Sequence, residues 1–91
     1  MPTLEFHGYS LADAQQMTAQ VREALVGLPF CEDIVFVERG PSRVVAWNGE
    51  EQPFVRILTR SKQRAGEIQA RLTHMCDLEV VIINFIRRRR E

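Results

Sequence analysis

The chain has 91 residues, 45% of them hydrophobic, and its twelve basic and twelve acidic side chains cancel to a formal charge of zero. That length suits one small domain rather than two, and global neutrality argues against bulk electrostatic binding to nucleic acid. No apolar stretch approaches the roughly 18 residues that cross a membrane, and no basic segment leads into an apolar run at the N-terminus, so the expectation is a soluble cytoplasmic protein.

In chain order, residues 3–9 alternate, with Leu4 and Phe6 on one side and Glu5 and His7 on the other, the period of a half-buried strand. Gly8 and Ser10 end it, and Ser10 is placed to cap a helix whose first turn holds Asp13. Leu11, Ala14, Met17, Val21, Ala24, Leu25 and Leu28 then recur at helical spacing, until Gly27 and Pro29 stop the helix. Residues 33–38 form a near-continuous apolar run that suits a strand covered on both faces.

Gly40-Pro41-Ser42 reads as a turn, Val44 to Trp47 as a short strand, and Asn48-Gly49 as a tight-turn dipeptide. Pro53 opens another strand, with Phe54, Arg56, Leu58 and Arg60 on one face and Val55, Ile57 and Thr59 on the other. Ser61 is a second N-cap, followed by a stripe of Ala65, Ile68, Leu72 and Met75. Glu79 to Ile86 is a last apolar run of strand length, broken by Asn84. Arg87 to Arg90 with Glu91 carry +3, leaving −3 for residues 1–86, and read as a solvated tail.

The predicted organisation is an α/β (α+β) domain over residues 1–91. Repeat one covers about 2–39, a hairpin arm about 40–52, repeat two about 53–86 and the basic tail 87–91. Two β-α-β halves give a mixed four-stranded sheet with two helices on one face. Two helices cover one face only, so the apolar runs imply that sister subunits cover the other. Cys31 and Cys76 lack the spacing of a metal or redox motif and read as reduced, packed thiols.

With these elements in place the chain resembles the tautomerase superfamily, in particular its fused-repeat, macrophage migration inhibitory factor-like branch. The resemblance is carried by the opening Met1-Pro2-Thr3-Leu4-Glu5-Phe6, and by Val44-Val45-Ala46-Trp47 with the glycine turn and Pro53 after it. Ser61 after the second repeat's first strand and Val81-Ile82-Ile83-Asn84-Phe85 complete it. It implies a homotrimer that needs no cofactor or metal and moves a proton on a small α-keto or enol carboxylate. Pro2 would act as the base once Met1 is removed. Lys62, Arg60, Ser61, Asn84 and Arg39 would bind the substrate.

Burial and nearby cations lower an amine's pKa, and the same cations hold a carboxylate and an enolate oxygen. The sequence departs from the family pattern at several places. Leu28 and Pro29 stand where the family has a pocket lysine, His7, Tyr9 and Ser10 where other members have an arginine, and Ile82 where it has a tyrosine. Two other functions fit the same order of elements: a non-catalytic oligomeric binding protein, and a ferredoxin-like ligand- or RNA-binding domain. Phe36 and Phe85 lie in runs too apolar for the exposed platform that RNA binding uses.

Overall fold

The computed structural model describes residues 1–40 and 42–83; Asn84, the end of the last apolar run and the arginine tail lie outside the described residues. Strand β1 (Thr3–His7) leads into helix α1 (Leu11–Leu25), a 3-10 turn (Cys31–Asp33) and β2 (Val35–Glu38). After the arm come β3 (Phe54–Thr59), α2 (Lys62–Leu72) and β4 (Leu78–Ile82). The result is a small α+β fold in which a mixed four-stranded sheet, ordered β2-β1-β3-β4, carries both helices on one face. Each half is parallel within itself, β1 with β2 and β3 with β4, and the halves join antiparallel through β1 and β3.

The two halves keep a common offset. Pro2 and Pro53 each stand just before a strand, and Ser10 and Ser61 each cap the helix that follows. Ser10 Oγ accepts from the Asp13 amide at 3.1 Å, and Ser61 Oγ accepts from the Arg64 amide at 3.1 Å. Both are standard satisfaction of a first-turn donor. Alternation then decides the faces. Leu4, Phe6, Val55 and Ile57 are fully buried under Ala14, Val21, Leu25, Ala65, Ile68 and Leu72. The Arg71 guanidinium of α2 donates to the carbonyls of Ala24 and Val26 at 3.0 Å each, so one half caps the helix end of the other.

Several boundaries differ from the sequence reading, each for a local reason. Leu11 is 54% exposed as the first residue of the helix, ahead of the buried stripe that starts at Ala14. Met75 falls off its stripe because α2 stops at Leu72 and a turn follows. Asp33 belongs to the 3-10 turn, so β2 begins only at Val35. Val44 to Trp47 form no ladder strand; the arm is held by one bridge, Val45 to Glu51, and by turn hydrogen bonds. Gly8 roots the arm: it has φ +85°, and a Cβ there would meet the Pro53 Cα at 3.0 Å and Val44 Cγ2 at 3.1 Å. Among the described residues no helix is long and apolar enough to cross a membrane.

Candidate functional site

Strand β1 is central, so its first residues lie inside the sheet. The Pro2 side chain is fully buried, and the Pro2 carbonyl accepts from the Val35 amide at 2.9 Å. Met1, attached to the Pro2 nitrogen, is 78% exposed. The ring is therefore sealed while the nitrogen's own substituent points to solvent. Thr3 pairs with Leu58 in the antiparallel ladder, which brings the β3–α2 junction alongside the start of β1.

That junction is built tightly. Thr59, 3% exposed, accepts from the Ser61 amide through Oγ1 at 3.1 Å, while its carbonyl accepts from Ile83 at 2.8 Å. Ser61 is half-buried and its hydroxyl is engaged as the cap of α2, with Lys62 exposed at the helix's first position. Arg60 is exposed beside it. Of the expected binding residues, Arg60, Ser61 and Lys62 thus share one end of the sheet with Pro2.

Arg39 is not there. Its amide donates to the Phe6 carbonyl, at the far end of β1 and about 13 Å along the strand from Pro2. Its guanidinium faces Glu5 at 3.9 Å instead. The reason is the parallel β1–β2 pairing, which puts the ends of both strands together, away from their starts. Asn84 lies outside the described residues. A cation that sequence reasoning did not single out stands at the Pro2 end: Arg64 reaches Asp33 at 3.4 Å and covers the Phe30 ring at 4.8 Å. Its signal was its place in the first turn of α2, three residues after the capping serine.

The face of the sheet away from the helices carries a second group that sequence reasoning did not assemble. Glu5 accepts from His7 Nε2 at 2.8 Å and lies 3.7 Å from Arg56, which donates to Glu79 at 2.7 Å. His7 stacks on Phe54 at 5.0 Å, and Arg56 lies over the same ring at 5.3 Å. The side chains of Glu5 and His7 are 17% and 15% exposed. The antiparallel register alone makes this cluster, by setting Glu5 against Arg56 and His7 against Phe54.

Near Pro53, the counterpart of Pro2 in the second half, an open cavity of about 460 Å³ is lined by Tyr9, Pro53, His74, Cys76 and Asp77, among others. Burial, with smaller contributions from Cys76 and Asp77, pushes the Tyr9 phenol up to about 12. Burial and then Asp77 push the Cys76 thiol up as well, which disfavours the reactive thiolate. Among the described residues no three His, Cys, Asp or Glu side chains are grouped to hold a metal ion.

No family model matches the chain, and no curated protein matches it. Solved structures share its fold, among them the following two. One is a domain of unknown function (DUF1904) from Sebaldella termitidis, 17% identical, with a TM-score of 0.58 over 94% of this chain and 90% of that one. The other is a protein of unknown function from Vibrio cholerae, 20% identical, with a TM-score of 0.55 over 92% of this chain and 77% of that one. At such identities the likeness is one of fold: the chain takes the α+β arrangement that these two proteins also take.

Proposed function

We propose that the protein is a tautomerase-like isomerase that moves a proton on a small α-keto or enol carboxylate, with Pro2 as its base. The observation that carries the reading is the sealed Pro2 ring at the start of a central strand, with its nitrogen directed toward solvent through Met1. With Met1 attached that nitrogen is an amide and has no basic lone pair. Removal of Met1 turns it into a secondary amine, and the cations at the same end of the sheet lower its pKa toward the working range of a general base. Lys62 and Arg60 supply positive charge for the substrate carboxylate. The N-terminus of α2 adds its first-turn amides and the positive end of its dipole. Arg64 is a further candidate for that role, and Arg39 stands too far along β1 to share it.

The same reading makes the protein a cytoplasmic homotrimer. Its support is the uncovered face of the sheet, where Val35 is 40% exposed and Val37, Leu58 and Val81 are only partly buried. The test compares two proteins, one beginning at Pro2 and one that retains Met1, on phenylpyruvate and related enol acids. The mature form catalyses enolisation, and Pro2→Ala and Met1 retention each lower kcat by about 100-fold or more. Lys62→Ala chiefly raises KM. Equal rates with and without Met1, or a native mass that keeps Met1, would overturn the assignment.

A further inference from the structure

The chain holds three methionines and two cysteines. Three of those five sulfur atoms, on Met17, Met75 and Cys76, line the open cavity of about 460 Å³ beside Pro53. His74, one of the chain's two histidines, lines it too. A methionine against a core is ordinarily packing, and Met17, half-buried there, fits that reading by itself. Met75 does not: it is 38% exposed, on a turn just past the end of α2.

The turn that carries these donors is fixed at both ends. Helix α2 stops at Leu72, whose carbonyl accepts from the Met75 amide at 2.9 Å and faces Cys76 Sγ at 4.0 Å. Just beyond, the Asp77 carbonyl accepts from the Val55 amide at 2.9 Å, which ties the turn to β3. The cavity therefore lies at the C-terminal end of α2, where the dipole and the last carbonyls favour a cation. The carboxylate-bearing Asp77 lines the same wall. Glu51 is there as well, with its charge shared with Arg43 at 3.5 Å.

The donor set decides which cation fits. Among the described residues no three His, Cys, Asp or Glu side chains are grouped for a metal, so Zn²⁺, Ca²⁺ and Mg²⁺ lack the cage that each requires there. Thioethers and a thiol are soft ligands, and they select the soft ion Cu(I) over those harder ones. We propose that the cavity beside Pro53 is a copper(I) site, with the sulfurs of Met17, Met75 and Cys76 as its ligands and His74 at its rim. The metal enters already reduced, so no electron is transferred. Cys76 releases its thiol proton to solvent as the copper–sulfur bond forms. The site lies at the end of the sheet opposite Pro2, where β1 finishes and β3 begins, and is independent of any role for that proline.

The test titrates the full-length protein with Cu(I) under anaerobic conditions, in competition with a chromophoric Cu(I) chelator. Wild type takes one equivalent from the chelator, and excess Zn(II) does not displace it. The methyl resonances of Met17 and Met75 move as the copper binds. Cys76→Ser lowers the affinity about 100-fold or more, since losing even an outer-shell partner of a metal costs about 10–100-fold. Met17→Leu and Met75→Leu, both close in volume to the originals, lower it by smaller factors. Cys31→Ser is the control and binds as wild type does. Circular dichroism confirms that each variant is folded. Failure to take copper from the chelator overturns the proposal. So does binding that is lost with Cys31 rather than Cys76, or that leaves both methionine methyls unmoved.

Discussion

Glu5 and Arg56 are direct partners in the β1–β3 ladder, 3.7 Å apart, and they also occupy equivalent positions in the two halves. They therefore sit where an approximate twofold axis passes between the halves. Two identical halves would put like charges there. A single fused chain puts a carboxylate against a guanidinium, and the outer strands fix which is which. Arg39, beyond β2, favours acid on β1, and Glu79 on β4 favours base on β3.

Reversing the pair will not restore it. Glu5→Ala costs about 1–2 kcal/mol, since Glu5 is only 17% exposed and serves three partners. The double reversal Glu5→Arg with Arg56→Glu stays below wild type, because each new charge meets a like charge on its outer neighbour. Urea unfolding of the single and double variants checks this, and full recovery in the double variant would show that only the central pair matters.

Gly8 and Gly27 both have positive φ but differ in surroundings. Gly27 has open space around it at φ +94°, so Gly27→Ala costs only the backbone penalty of about 1–2 kcal/mol. Gly8→Ala adds a clash with backbone at Pro53 and with the Val44 side chain, and loses about 2–4 kcal/mol. Thermal melting ranks the two, and faster proteolysis within residues 42–52 of the Gly8 variant would show the arm released.

Tyr9 is the single tyrosine of the chain, so its phenolate is readable by ultraviolet difference absorbance. It ionises near pH 12 in the folded protein against an ordinary 10. A raised folded-state pKa means that the folded protein keeps a proton which the unfolded chain releases. The resulting stability is intact below pH 10 and is lost as pH rises from 10 to 12. Tyr9→Phe flattens that part of the pH–stability curve; an unchanged slope would sink the assignment.

Thr59→Val keeps the shape of a buried side chain and removes the acceptor for the Ser61 amide. An unpaired donor at this half-buried turn costs about 1–2 kcal/mol. Hydrogen exchange at Ser61 speeds up in this variant while exchange in α1 does not, which separates local loosening at the β3–α2 turn from general destabilisation.

The fold was legible because its signals are local: alternation in residues 3–7 and 54–59, capping serines 10 and 61, and the Asn48-Gly49 turn. Leu11 and Met75 were misplaced because periodicity says nothing of where a helix starts relative to the sheet edge. The grouping of Pro2 with Ser61 and Lys62 was implied by the resemblance, not by the residue pattern. The misplacement of Arg39 and the unforeseen Glu5–His7–Arg56 cluster have one cause. Both depend on which strand lies beside which and in what register, and side-chain types along the chain do not encode that directly.

The central place of β1 also shapes how the chain is made. Leu4 and Phe6 leave the ribosome well before the partner for one edge of their strand, residues 54–59, is synthesised. During that interval β1 can pair with β2 alone, and its second edge stays open through the whole synthesis of the arm. The sheet can close only by a long-range contact, so folding is set by the late arrival of β3. A fragment ending before Phe54 presents a bare apolar strand and will aggregate rather than persist as a stable half.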